Sequence, residues 1–126
     1  MTENGEIQAL QEPLDVLAVM AHPDDAELLC GGTLIKSTHQ AHRVGVIDLT
    51  AGEMGSSGSA AIRGTEAGHA AEIMGLVERR CLGLPDAALE NDRESRHLLV
   101  KHLRALRPTT VITHWPVGRH RDHRIA

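Results

Sequence analysis

Two short segments concentrate the side chains able to hold a metal ion and move protons. One is Ala21-His22-Pro23-Asp24-Asp25-Ala26-Glu27 and the other is His120-Arg121-Asp122-His123. The first sets one imidazole beside two adjacent carboxylates, and packed carboxylates repel unless their charge is compensated. A divalent cation is the simplest compensation. Zinc takes imidazole and carboxylate ligands, and a catalytic site keeps one position open for water. Iron can occupy the same kind of nitrogen and oxygen site. Neighbouring carboxylates cannot both point the same way, so one can ligate while the other faces the water as a general base. In the second segment, histidines at the first and fourth positions flank an aspartate. They could supply a ligand, an acidic imidazole and the carboxylate that orients it. Each segment also has a bland alternative. Asp24 and Asp25 would merely cap a helix with His22 packed beside them, and His120–His123 would be a solvated loop.

The elements that must position these groups alternate along the chain. Short β-branched or aliphatic runs at 15–20, 43–49, 80–82 and 110–113 suit strands, and 26–39, 60–74 and 91–106 suit helices. Gly75 ends the second helix, Asn91 or Asp92 caps the third, and Leu99, Leu103 and Leu106 share one face. Such alternation predicts βαβ units and a mainly parallel sheet covered on both faces: an α/β, Rossmann-like three-layer sandwich. In open parallel sheets, ligands bind beyond the carboxyl ends of the strands. The segments AHPDDAE, TAGEMGSSG, GLPDA and HWPVGRHRDH each follow a strand, so all four should gather on one rim. Residues 1–13 read as a flexible tail, 14–126 as one metal-binding domain, and 52–59 as a mobile loop.

Composition narrows the function classes. A chain of 126 residues suits one small domain, and 41% hydrophobic with 24% charged residues is ordinary for a soluble protein. No stretch is apolar enough for a membrane span, and MTENGEIQALQEP lacks the layout of a signal peptide, so the cytoplasm is the expected location. A formal net charge of −4, no Phe or Tyr and a lone Trp115 argue against nucleic acid as a partner. Cys30 and Cys81 form no CxxC pattern and read as reduced core residues. Of 9 histidines, His39, His69, His97 and His102 fall in helical stretches and His42 follows one. That leaves His22, His114, His120 and His123 to explain. The first strand–helix turn has no GxGxxG, and neither a Walker sequence nor a GxSxG elbow occurs.

AHPDDAE followed by LLCGGTL, with HRDH after a later strand, resembles the PIG-L/LmbE-like de-N-acetylases. These remove acetyl groups from N-acetylglucosaminyl conjugates. The segments DLTAGEMGSSG, IRGTEAGHAAEIMGL and LGLPDAAL are most similar to the bacterial deacetylases of bacillithiol biosynthesis, which act on N-acetylglucosaminyl-malate. The resemblance runs from about Asp15 to the last residue. It implies a zinc-dependent hydrolase with an acetylated amino sugar as its small-molecule substrate. By position, His22, Asp25 and His123 match the metal ligands and Asp24 the general base. His120, oriented by Asp122, matches the histidine that stabilises the oxyanion or protonates the leaving amine. Arg63 lies where relatives contact the sugar, although pairing with Glu66 on a helix surface is the plain alternative. Glu53 and Asp86 sit on the rim without a role, and Trp115 reads as packing. Family members continue well beyond HxDH, so the C-terminal part of the family fold is missing after Ala126. An uncovered sheet edge would then favour a homo-oligomer. Two other readings stand beside this one. A metallohydrolase of another bond, such as a phosphoester, could use Arg119, Arg121 and Arg124. A non-catalytic metal-binding fragment would hydrolyse nothing.

Overall fold

The computed structural model describes residues 6–56 and 58–126. Strands β1 (Val16–Met20), β2 (Val44–Thr50), β3 (Glu78–Leu84) and β4 (Thr110–Ile112) alternate with helices α1 (Asp25–His39), α2 (Ala60–Met74) and α3 (Arg93–Leu106). A short α4 (Arg121–Ile125) follows β4. The sheet order is β3-β2-β1-β4 and every neighbouring pair is parallel. The chain therefore starts near the middle of the sheet, winds outward to β3, and crosses back to place β4 against β1.

Period-two alternation builds the two faces. Leu17, Val19, Ala21, Ile47 and Leu49 pack with Leu99, Leu103 and Leu106 of α3. Ala18, Met20, Val44 and Val46 pack with Ala26 and Leu34 of α1 and Met74 of α2. All seven residues of β2 are buried, as a strand covered on both faces requires. The α/β three-layer arrangement read from the sequence is the one observed.

Local signals explain the helix ends. Ser59 Oγ accepts from the Ile62 N–H at 3.2 Å, and Gly75 closes α2 at φ 71°. Of the two candidate caps for α3, Asp92 is the one used, accepting from the Ser95 N–H at 2.8 Å.

Strand β3 is longer than the expected 80–82, with charged Glu78 and Arg79 added at its start and Gly83 and Leu84 at its end. Arg79 Nε lies 2.8 Å from Asp48 Oδ2 and its guanidinium also meets Glu27, while Arg80 Nε lies 3.0 Å from Glu78. The core reading of the cysteines is corrected for Cys81, which is exposed, while Cys30 is half-buried; both are free. Cys81 lies on an edge strand, where α2 offers only small residues such as Gly64, Ala67 and Gly68.

Residues 1–5 of the expected tail lie outside the described residues. Residues 6–13 run past the end of α3. The Leu10 N–H donates to the Ala105 carbonyl at 3.1 Å, and Arg107 reaches the carbonyls of Leu10 and Gln11. No helix among the described residues is long and apolar enough to cross a membrane.

Candidate metal centre

The turn leaving β1 carries an unusual backbone. Asp24 sits at φ 90°, ψ −25°, in the left-handed region. That conformation costs a residue with a Cβ about 1–2 kcal/mol, and such strain persists where the surroundings enforce it. Asp24 occupies the N-cap position of α1, yet its side chain makes no capping hydrogen bond. Asp25 Oδ2 instead accepts the His22 N–H at 2.9 Å and lies 3.2 Å from His22 Nδ1 and 3.1 Å from His123 Nε2. The helix-capping alternative therefore fails. One carboxylate faces the imidazoles, and the other, with its side chain 61% exposed, faces Arg63 and the open rim.

The donor set fits a small divalent cation. Ligands about 2.0–2.1 Å from one tetrahedral ion stand roughly 3.3 Å apart. The separations of 3.2 and 3.1 Å to Asp25 fall just short of that spacing, and the donor atoms of His22, Asp25 and His123 all lie within 4.8 Å of one another. Burial pushes the Asp25 carboxyl up, but His22 and His123 outweigh it and hold the group below the usual carboxylate range.

His22 Nε2 points the other way, 3.0 Å from both Asp122 Oδ2 and Asp86 Oδ1. Asp122 is fully buried and also accepts from the Ala87 N–H at 2.8 Å and the Leu89 N–H at 3.2 Å. A carboxylate on the far nitrogen fixes the tautomer of a metal-binding imidazole. His22, His120 and Asp122 form a second group of possible donors. Asp122 already has His22 and two backbone donors, so we assign it to orientation. Hydrogen bonding to Asp25 first, and to Asp122 next, raises His22 to about 9 against the opposing effect of burial.

Here the structure differs from the expectation that the Asp122 carboxylate orients His120. That carboxylate is turned inward to His22, and Asp122 offers His120 only its backbone N–H, donated to Nδ1 at 3.1 Å. The physical reason is the start of α4, where His120 is the N-cap and the next turn swings Asp122 into the core. With Nδ1 accepting, neutral His120 carries its proton on Nε2. Its ring is exposed, 4.8 Å from the ring of His22.

Arg63 reaches the rim rather than Glu66. Its guanidinium donates to the Gly52 carbonyl at 2.8 Å and the Pro23 carbonyl at 2.7 Å, and contacts Asp24 Oδ2 at 3.2 Å. Gly52 permits this: at φ 65°, a Cβ there would lie 2.1 Å from Arg63 Nη1. Glu53 and Asp86, which had no sequence-derived role, clasp two rim loops together. Glu53 Oε1 accepts the Asp86 N–H at 2.9 Å, and Asp86 Oδ2 accepts the Met54 N–H at 2.8 Å. In the loop expected to be mobile, Ser57 lies outside the described residues. His22, Asp24, Met54, Arg63, Asp86 and His120 line a shared hollow of about 200 Å³. Although its side chain is largely exposed, partial desolvation at the rim raises the Asp24 carboxyl, with Arg63 opposing.

Sequence reasoning left His114 unexplained, and the structure brings it into the cluster. It is buried, its Nε2 accepts the Ala21 N–H at 3.0 Å, and its ring stacks on His123 at 3.9 Å. Burial, then the neighbouring His123, lowers its pKa. The same nitrogen lies 3.4 Å from Asp25 Oδ2. Its lone pair is already committed to Ala21, so that approach is not an ion pair. The sequence signal was only elimination: His114 lies outside every helical stretch, on a strand's carboxyl end.

A sequence profile of the family described as PIG-L: GlcNAc-PI de-N-acetylase matches residues 17–126. The chain is 32% identical over 121 residues to probable N-acetyl-alpha-D-glucosaminyl L-malate deacetylase 2 of Bacillus anthracis, covering 86% of this chain and 54% of the relative. It is 35% identical over 121 residues to diacetylchitobiose deacetylase of Thermococcus kodakarensis, covering 88% and 45%. Among solved structures, a conserved protein of Thermus thermophilus superimposes with a TM-score of 0.86 at 45% identity, covering 90% of this chain and 51% of that one. The chain thus spans about half the length of the relatives it matches.

Proposed function

The chain belongs to the PIG-L family of GlcNAc-PI de-N-acetylases, and from that premise we propose that it carries the metal-binding, proton-moving part of an N-deacetylase. The substrate would be an N-acetylglucosaminyl conjugate, with N-acetylglucosaminyl-malate of the bacillithiol pathway as the first choice. The names of the relatives support that class. The observation that carries the reading is the split at the first motif. Asp25 is drawn to His22 and His123, while Asp24 is left at the hollow beside Arg63.

His22 through Nδ1, Asp25, and His123 through Nε2 would hold the cation, zinc in our reading, with iron as another N/O-site metal. When bound, such a cation acidifies water and polarises a carbonyl as a Lewis acid. The remaining work belongs to side chains of this chain. Asp24 takes a proton from the attacking water, and the partial desolvation that raises its carboxyl makes it a stronger base than a fully solvated aspartate. His120 donates from Nε2 to the acetyl oxygen as negative charge develops there. The proton held by Asp24 passes to the nitrogen as the C–N bond breaks, which yields acetate and a free sugar amine. Asp122 and Asp86 keep His22 aimed, and Arg63 fixes Asp24 and flanks the sugar.

A phosphoester substrate is less well supported. Arg121 is engaged by the Leu89 carbonyl and Glu90, and Arg124 by the carbonyls of Gly118 and Arg119. Exposed Val111, Trp115 and Val117 at and beside the β4 edge favour a homo-oligomer.

The test is amine release from N-acetylglucosaminyl-malate after chelation and zinc replacement. Asp24→Ala should keep zinc and lose turnover by roughly 100-fold or more, whereas His123→Ala should lose zinc. Equal zinc loss in the two variants would sink the division of roles. Stoichiometric zinc without turnover on any acetylated sugar would identify a non-catalytic metal-binding unit instead.

A further inference from the structure

His114 is the one buried imidazole at the rim that the proposed reaction does not use. Backbone pairing between β1 and β4 ends at Ala18 and Ile112. Beyond that pair, His114 Nε2 accepts the Ala21 N–H at 3.0 Å, so a side chain continues the connection where the two backbones part. Ala21 immediately precedes His22. The other attachment is a face: the rings of His114 and His123 stand 3.9 Å apart with an interplanar angle of 13°, close to parallel. His123 is also stacked against His120, at 4.7 Å and 25°. One buried ring therefore touches the strand end that delivers His22 and the plane of His123, the two imidazoles drawn toward Asp25.

We infer that His114 is a positioning residue, which holds the His123 ring plane and the approach to His22 so that both imidazoles are aimed at Asp25 before a cation arrives. It is not itself a ligand, because Nε2 already accepts Ala21 and the ring proton then resides on Nδ1. Residues that orient ligands commonly change metal affinity by about 10–100-fold when replaced. Preorganisation gives the reason: an untethered imidazole must be ordered at the moment of binding. This inference rests on the metal reading given above.

Two measurements test it on the full chain. Long-range ¹H–¹⁵N imidazole spectra of the metal-free protein should show His114 with its proton on Nδ1 and a bare Nε2. A proton on Nε2 would overturn the Ala21 hydrogen bond and the inference with it. Zinc affinity, measured by competition with a chromophoric chelator, should then be compared in the parent, His114→Phe and His114→Gln. Phe keeps the stacking face without the acceptor, and Gln keeps an acceptor without the face. Each should bind zinc about 10–100-fold more weakly. A merely structural role would lower the metal-free unfolding midpoint and leave the affinity of the folded protein within about twofold of the parent, which would overturn the inference. Should one variant fail to fold, the other decides. A parent that binds no zinc overturns the metal reading itself, whereas a binding parent with unaffected variants overturns only the role of His114.

Discussion

At the scale of single residues, the most informative is Asp24. A left-handed backbone at a non-glycine residue is strained, and nothing in its side-chain contacts rewards the helix it precedes. The strain is understood if the carboxylate is needed at the rim. Asp24→Gly should therefore relieve it: the unfolding free energy of Asp24→Gly should exceed that of Asp24→Ala by about 1 kcal/mol, both variants being inactive. Chemical denaturation of the pair measures this, and an Ala variant as stable as the Gly variant would show that the turn is not under strain. The residue types of this site were legible in the sequence, since an imidazole beside two carboxylates calls for compensation wherever it is placed. The direction of each side chain was not. Asp122 belonged to His120 by proximity along the chain, yet the turn into α4 hands it to His22.

At the scale of elements, α3 shows what a helical histidine does when it is not catalytic. His102, read as exposed or half-packed, is buried against β3, and its Nδ1 lies 3.3 Å from the Arg80 guanidinium. Burial first, and Arg80 second, lowers its pKa from the ordinary value of 6.5. The folded state thus prefers neutral His102, while the unfolded chain gains a proton as pH falls below about 6.5. Stability should be lost as pH drops from that value toward the lower folded pKa, then level off. The same loss should be smaller in His102→Gln. Melting curves of both proteins at about pH 7 and pH 5.5, on either side of the ordinary histidine pKa, check it. Parallel losses would remove His102 as a source. The elements themselves followed local signals where hydropathy carried them, as in β1, β2 and α2. The start of β3 did not, because Glu78 and Arg79 are polar residues whose charges are paired, Arg79 with Asp48 of β2 and Glu78 with Arg80 on the same strand.

At the scale of the whole molecule, the site is a meeting of four loops, so occupancy and fold stability are linked. Zinc at about 100 times its dissociation constant should stabilise the protein by about 2.7 kcal/mol, and chelation should remove that increment. The linkage carries a pH signature. Without metal, the surrounding carboxylates keep His22 protonated up to about 9, and a cation must displace that proton. Zinc affinity should therefore rise about tenfold from about pH 7 to pH 8, by chelator competition, with one proton released per ion bound. A pH-independent affinity would mean that His22 is not a ligand.

Sequence alone determined which residue types are able to bind a metal ion and the rim on which they gather. Both depend on local facts: adjacent carboxylates repel, strands alternate with period two, and ligands collect at the carboxyl ends of parallel strands. Only the tertiary structure decided that the two motifs meet. Strands in a sheet are about 4.8 Å apart, and β4 pairs with β1 rather than lying outside β3. Outside β3 it would stand two spacings further from β1, roughly 10 Å, beyond the reach of one ion. Strand order also joins His114 to Ala21 and Asp122 to His22, contacts separated by 93 and 100 residues along the chain. No local periodicity encodes such pairs, because they exist only once the crossover has brought β4 home.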